Sequence, residues 1–148
     1  MTFSKPLLQS LFFQEPAGRF ALGQVLTSGS LDLNFEKNGH SADVGYWQCD
    51  LTRGNALTWS DQVYEIFGLP RGSTVPREDA VAKYLEHSRG VLEQMRTHAI
   101  KRKCGFMLDA AINPDGATRW IRILAAPIIE ADRVVGLRGW KRILKPER

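Results

Sequence analysis

Hydrophobic and polar positions alternate along the last third of the chain, and this pattern predicts a run of antiparallel strands. Residues 106–113, 118–129 and 134–143 are each rich in apolar and β-branched side chains. A Pro-Asp-Gly turn at 114–116 separates the first two runs, which is typical of a β-hairpin. We therefore expect the chain to end as three neighbouring antiparallel strands.

The middle of the chain changes from the two-residue period of strands to the longer period of helices. Residues 46–51 and Ala56–Trp59 alternate as two short strands on either side of a turn. Helices are expected at Asp61–Phe67, at 76–86 and at 89–103. Two strands, a group of helices and three further strands indicate an α+β fold. We predict a five-stranded antiparallel sheet with the helices packed on one side.

The N-terminal residues have a different pattern and are predicted to form an extension. Residues 6–14 resemble a short amphipathic helix. The apolar face of this helix would consist of Leu7, Leu8, Leu11 and Phe12. Residues 20–35 alternate loosely and predict either a weak hairpin or an extended arm. The expected organisation is an extension at 1–44, one domain at 45–144 and a C-terminal tail at 145–148.

Composition and charge narrow the class of protein. A chain of 148 residues with 43% hydrophobic and 24% charged residues is long enough for one globular domain. It has neither an apolar run of the roughly 18 residues that span a bilayer nor the pattern of a signal peptide, so we expect a cytoplasmic protein without membrane contact. The net charge of +4 comes mainly from cations in the C-terminal third. Because these cations alternate with apolar residues, we predict that they face solvent, which disfavours nucleic-acid binding.

The residues that most often carry chemistry show no catalytic or metal-binding pattern. Cys49 and Cys104 have no Cys or His neighbours at the spacing of zinc ligands, so we expect two reduced, mostly buried thiols and no metal. The sequence contains neither a Gly-x-x-x-x-Gly-Lys loop nor a His-Glu-x-x-His motif. We therefore predict that the protein is not an enzyme. A small isomerase-like enzyme is the alternative, because an α+β sheet with a pocket can host such chemistry.

Five short motifs, taken in their order and spacing, resemble a PAS domain. They are Gly-Tyr-Trp at 45–47, Leu-Thr-Trp-Ser at 57–60, Ile-Phe-Gly-Leu-Pro at 66–70, Pro-Asp-Gly followed by Arg-Trp-Ile at 114–121, and Gly-Leu-Arg-Gly at 136–139. The first two are typical of the PAS subgroup whose first strand reads Gly-x-Trp and whose second strand ends in Trp-Ser. The resemblance implies a PAS fold and a role in signal transduction.

The chain departs from the family pattern at three places. Residues 87–90 read His-Ser-Arg-Gly where many relatives have His-Pro-Asp-Asp-Arg, and 109–111 read Asp-Ala-Ala where relatives have Glu-x-Arg. The predicted sheet ends at Leu144 and is followed by four residues, without the signalling helix and effector of many relatives. We therefore expect a stand-alone PAS protein that acts as a sensory and protein–protein interaction module without its own effector. The alternative is the sensor fragment of a larger histidine kinase or diguanylate cyclase.

The resemblance also bears on partners, because PAS domains often dimerise through an N-terminal helix and the outer face of the sheet. It implies a homodimer and a signalling protein partner, with the helix at 6–14 as the dimerisation element. The same helix serves equally well as a cap over the chain's own sheet. Trp120 and Trp140 are candidates for exposed aromatic anchors at an interface.

The ligand cavity of PAS domains lies between the inner face of the sheet and the helices. The residues expected to face this space are Trp47, Cys49, Trp59, Tyr64, Phe67, Tyr84, Met95, Phe106 and Leu108. They would either line a pocket for a small-molecule ligand or fill the space as an ordinary core.

The sequence identifies no cofactor. Haem-binding relatives ligate iron through a His on the long helix, but His98 comes late on that helix and Leu92 stands nearer to the expected position. Light-sensing relatives need a Cys just after the second small helix, and residues 72–87 contain none. Haem and flavin are therefore both disfavoured, and a haem-binding sensor is kept as a minor alternative.

Overall fold

The computed structural model describes residues 12–14, 20–27 and 43–145, which form one antiparallel sheet and three α-helices. The strands are β1 (Phe12–Gln14), β2 (Phe20–Leu26), β3 (Gly45–Asp50), β4 (Ala56–Trp59), β5 (Gly105–Ile112), β6 (Arg119–Glu130) and β7 (Arg133–Ile143). The helices are α1 (Asp61–Phe67), α2 (Arg77–Val81) and α3 (Glu86–Arg102), and a 3-10 turn lies at Leu51–Arg53. The predicted α+β fold with helices against an antiparallel sheet is confirmed.

The sheet places the C-terminal strands in its centre. Its strand order is β1-β2-β5-β6-β7-β3-β4, and every neighbouring pair is antiparallel. The longest pairing joins β6 to β7 through a tight turn at Ala131 and Asp132, whose φ angles are 50° and 63°. Two central residues with positive φ match the right-handed twist of the flanking strands. The three predicted C-terminal strands therefore form a continuous meander.

The inner face of the sheet packs against the helices and forms the main core. On β5 and β6, Leu108, Ile121 and Ile123 are buried on this face because side chains alternate along each strand. From the helices, Phe67 and Val91 belong to the same cluster and have no exposed surface. This apolar layer positions the cavity described below.

The N-terminal extension differs from the prediction at 6–14, because part of the predicted helix is strand, whereas a strand at Phe20–Leu26 agrees with the hairpin or extended arm expected at 20–35. Phe12–Gln14 lies within the predicted helix at 6–14 but forms β1, and Phe20–Leu26 forms β2. β2 pairs with β5, so the described sheet has seven strands where five were predicted. An unpaired edge of β5 would leave backbone groups without partners, and pairing them favours the extended form. The other residues of the predicted helix face, Leu7, Leu8 and Leu11, lie outside the described residues.

The helix α2 ends well before the predicted boundary because the following chain runs beside the end of β5. There the Leu85 N–H donates to the Ala111 carbonyl at 3.0 Å. The Asn113 N–H in turn donates to the Lys83 carbonyl at 2.8 Å. These hydrogen bonds satisfy backbone groups that a longer α2 would have paired internally. The long helix α3 consequently starts at Glu86 instead of residue 89.

The two tryptophans predicted as exposed anchors are buried, so the expectation of their exposure is wrong. Trp120 is 8% exposed and Trp140 is 0% exposed. Trp140 belongs to a second apolar cluster with Leu26, Val44 and Leu124. Leu26 comes from β2, so this cluster depends in part on a strand whose pairing with β5 was not predicted.

Candidate functional site

A cavity of about 60 Å³ lies between the inner face of the sheet and the helices α2 and α3. Five of the predicted pocket residues line it, namely Trp47, Cys49, Trp59, Tyr84 and Phe106. Further apolar lining residues, which were not among the predicted pocket residues, are Leu57, Ala80, Val81, Leu92, Ile123 and Leu137. Because one water needs only about 10–15 Å³, the space admits a ligand of a few heavy atoms.

The other four predicted pocket residues pack around the cavity and do not line it. Phe67 stacks on Trp59 with ring centroids 5.0 Å apart. Tyr64 meets the same indole edge-on, and its hydroxyl donates to a backbone carbonyl at 2.6 Å. Met95 and Leu108 are buried in the adjoining core. The aromatic contacts hold the Trp59 side of the cavity wall in place.

A buried lysine contributes the principal polar group of the cavity. Lys141 lies on the inner face of β7 and is only 9% exposed. Its Nζ donates to Tyr84 Oη at 3.1 Å. The same Nζ lies 5.3, 4.9 and 5.7 Å from the ring centroids of Trp47, Phe67 and Tyr84. These rings attract an ammonium but do not neutralise it. The prediction that the C-terminal cations face solvent is therefore wrong for Lys141.

The surroundings of Lys141 change the protonation of the groups in the cavity. Burial lowers the pKa of the Lys141 amine to about 7, and the positive charge of Arg77 acts in the same direction, whereas Cys49 opposes it. Burial also raises the pKa of the Tyr84 hydroxyl above its ordinary value. Tyr84 is therefore a neutral phenol at neutral pH, and the amine beside it exists as a mixture of its charged and neutral forms.

Two arginines from the helices complete the cavity wall. Arg77 of α2 forms a bidentate ion pair with Glu93 of α3. Arg96 Nη2 of α3 donates to Asn55 Oδ1 at 2.7 Å. These contacts tie the two helices to each other and to the turn before β4. Among the residues that the structure describes, no Asp or Glu lines the cavity.

The comparisons with known proteins agree with this fold. The family model described as PAS fold matches residues 35–139. The chain belongs to the PAS-fold family. The PAS domain resembles the N-terminal domain of a diguanylate cyclase with PAS/PAC sensor from Marinobacter aquaeolei, with 17% identity, a TM-score of 0.61, and coverage of 68% of this chain and 94% of that one. It also resembles a sensory box histidine kinase/response regulator from Burkholderia thailandensis, with 15% identity, a TM-score of 0.58, and coverage of 76% of this chain and 82% of that one. At these identities the likeness shows the fold, and no match was found among curated proteins.

An ion pair on this PAS domain involves the segment that departs from the family pattern. Asp109 accepts hydrogen bonds from Arg122 Nε at 2.8 Å and from Arg122 Nη2 at 3.0 Å. The two residues face each other across β5 and β6. The hydrogen bond to Asp109 raises the pKa of Arg122. A neighbouring strand therefore supplies the cation that the Asp-Ala-Ala segment itself lacks.

The residues weighed for cofactor chemistry are split between the PAS cavity and its surroundings. Leu92 lines the cavity, whereas His98 is not among the lining residues and has its pKa lowered, first by burial and then by nearby cations of α3. Cys49 lines the cavity, Cys104 does not, and both thiols are free. Within residues 12–14, 20–27 and 43–145, no cluster of three His, Cys, Asp or Glu side chains suits a metal ion. No helix in this part of the chain is long and apolar enough to cross a membrane.

The three cations that line the PAS cavity were not predicted from the sequence, although the position of Lys141 could have been inferred from the alternation along β7. Lys141 follows Leu137 and Gly139 at intervals of two, so strict alternation along β7 places it on the inner face. This placement was not expected, because lysine side chains usually face solvent. Arg77 and Arg96 carry no comparable signal, because their access to the cavity depends on how α2 and α3 pack.

Proposed function

We propose that this PAS domain acts as a sensor in signal transduction and that its inner cavity binds a small molecule. The observation that carries the proposal is the space of about 60 Å³, whose apolar and aromatic wall contains the amine of Lys141 and the hydroxyl of Tyr84. A few convergent polar groups in an apolar pocket are typical of small-molecule sites.

The buried amine of Lys141 supports ligand binding. Among the residues that the structure describes, no carboxylate pairs with it, so its charged form has lost water without that compensation. A ligand that pairs with the amine removes this penalty. Binding would thereby stabilise the strands and helices around the cavity.

Backbone NMR spectra of the full chain test this proposal. Small probes such as isobutanol, butyramide and butyrate should shift the amide resonances of β3, β4 and α2. Ala80→Leu places a larger side chain on the cavity wall and should abolish these shifts. Ala82→Leu is the matched control, because Ala82 is exposed at the end of α2. Binding of none of the probes, or equal shifts in the Ala80→Leu variant, would contradict ligand binding in this cavity.

The identity of the natural ligand requires the protein as it is made in cells. Native mass spectrometry of the purified protein should detect a retained molecule by its mass. An absorption spectrum of the same sample reports haem and flavin together, and a visible absorption band would overturn our preference for a colourless ligand.

The partners and the wider protein are a separate part of the proposal. A homodimer, a signalling protein partner and a cytoplasmic location stay predictions, and sedimentation equilibrium of the full chain tests the dimer. Similarity to sensor domains of a diguanylate cyclase and a histidine kinase also fits the alternative that this chain is the input domain of such a protein. Immunodetection in cell extracts separates the two, because a stand-alone module migrates at the size of this chain and an input domain at a larger size.

The isomerase alternative has one supporting observation. Such an enzyme needs a proton acceptor at the reacting atom, and an amine with a pKa of about 7 is suited to general-base catalysis. We favour the sensor because the family to which the chain belongs is generally sensory. The NMR samples with probes decide between them, since a sensor leaves each probe unchanged and an isomerase converts its substrate during incubation.

A further inference from the structure

The charges on the cavity wall have one sign. Lys141, Arg77 and Arg96 line the cavity, and none of the acidic residues within 43–145 does. Glu93 pairs with Arg77 from outside the lining, and no described carboxylate pairs with Lys141 or Arg96. Because most of the wall is apolar and Lys141 is buried, the charge of its amine is screened less than a charge at the surface. The wall therefore favours an anionic ligand.

Lys141 is the cation best placed to receive such a ligand. Its Nζ donates to Tyr84 Oη, which is a neutral acceptor. In the part of the chain that the structure describes, no ion pair involves Lys141. An ammonium has three donors, so hydrogen bonds remain available to a ligand in the cavity. Arg96 is less buried than Lys141, and its Nη2 already donates to Asn55 Oδ1.

The aromatic surroundings of the amine decide which part of a ligand it meets. The rings of Trp47, Phe67 and Tyr84 surround Nζ at 4.9–5.7 Å from their centroids. The amine can therefore bind one charged group of a ligand, and the rings provide apolar surface for the rest of the ligand. A second charged group on the ligand would meet this apolar surface and lose water without compensation.

We propose that the cavity binds a small organic monocarboxylate, whose carboxylate pairs with the ammonium of Lys141 and whose short apolar body packs against Trp59 and Leu92. This inference rests on the proposed function, because it names the ligand class for the same cavity. A space of about 60 Å³ favours a short ligand of roughly two to five carbon atoms.

The protonation of Lys141 gives the proposal a distinctive pH dependence. The groups that face or influence the amine are Arg77 of α2, Tyr84 before α3, Cys49 of β3, and Glu93 and Arg96 of α3. The pKa of the amine is about 7 in the free protein, and a carboxylate beside it would raise that value. Binding therefore takes up a proton above neutral pH. The affinity should be constant at lower pH and fall about tenfold per pH unit above 7.

Calorimetric titration of the full chain with butyrate and with butyramide tests the proposal. The two probes have nearly the same shape, and only butyrate is charged. At about pH 6.5 we expect butyrate to bind at least about tenfold more tightly, since hydrogen bonds to charged groups contribute about 1.5–3 kcal/mol. Butyramide binding as tightly as butyrate, or butyrate affinity that does not change between about pH 7 and pH 9, would overturn the proposal.

Variants assign the preference to one side chain. Lys141→Met should remove the preference for butyrate over butyramide, and Lys101→Met should retain it because Lys101 is exposed on α3. A preference retained in Lys141→Met would overturn the proposal. The wild-type comparison of the two probes needs no variant, so the test holds even where a variant folds poorly.

The outcomes also separate this inference from the proposed function. If isobutanol and butyramide bind in the cavity and butyrate does not, the cavity is a ligand site and the carboxylate inference fails. If none of the three probes binds, both the proposed function and the inference fail.

Discussion

Replacing Lys141 with methionine should change how the stability of the protein depends on pH. The variant keeps a flexible side chain of similar length and removes the buried amine. The pKa of this amine is about 7 in the folded chain, against an ordinary value of 10.5. Between these values the unfolded chain binds one proton more than the folded chain. The free energy of unfolding therefore does not depend on this amine's titration below pH 7. Above pH 7 it rises by about 1.4 kcal/mol per pH unit, and the total gain by about pH 10.5 is about 5 kcal/mol.

The difference in free energy of unfolding between the wild type and Lys141→Met isolates the contribution of the amine. Both proteins contain the charged and titratable groups around position 141, so the titration of these groups largely cancels in the comparison. They are Arg77, Tyr84, Cys49, Glu93 and Arg96. We expect Lys141→Met to be more stable than the wild type at about pH 6, and its advantage to shrink by about 4 kcal/mol by about pH 10.

Urea unfolding followed by tryptophan fluorescence measures the effect across this pH range. The matched control is Lys101→Met, which removes an exposed cation of α3 and should differ from the wild type by a constant amount. Parallel stability profiles for the wild type and Lys141→Met would refute the reasoning, because they would mean that the amine keeps its ordinary pKa in the folded chain.

Three further substitutions test how the fold is held together. Gly90→Ala should raise stability by roughly 0.5–1 kcal/mol, because position 90 lies in α3 and an added Cβ meets nothing within 4 Å; a loss in urea unfolding would contradict this. Gly139→Ala should lower stability by about 3 kcal/mol, because its Cβ would overlap the carbonyl of Leu124; a wild-type midpoint in circular dichroism melting would be inconsistent with the packing. Ser88→Ala should lower stability by about 1–3 kcal/mol, because Ser88 Oγ accepts the buried Ala111 N–H at 2.8 Å; unchanged hydrogen exchange at that amide would argue against it.

Local patterns were sufficient to predict the central part of the fold. The helix Asp61–Phe67 appears with the predicted bounds and ends at Gly68, whose φ of 67° suits glycine. The Pro-Asp-Gly turn connects β5 to β6 as expected, and a tight turn connects β6 to β7 within the predicted run of antiparallel strands. Trp47 and Trp59 alternate with polar neighbours, and both line the cavity. In each case the decisive interactions are close in sequence or follow from a strict period.

The features that were missed depend on contacts distant in sequence. β2 is held as a strand by its pairing with β5, and the residues of Phe20–Leu26 do not indicate which strand they pair with. α2 ends at Val81 because the chain after it pairs with the end of β5. Lys141 was assigned to solvent together with the other C-terminal cations, whereas its two-residue spacing from Leu137 and Gly139 along β7 places it inside. Lys141 departs from the usual preference of lysine for solvent, and its amine is the candidate functional group of the cavity.

The protonation of Lys141 itself tests the account of the cavity most directly. NMR titration of the Lys141 side-chain resonances gives the pKa of its amine in the folded chain. We predict a pKa of about 7 in the free protein, raised by about 1–3 units when butyrate saturates the cavity. A free-protein value close to the ordinary 10.5, or no change on saturation with butyrate, would contradict it.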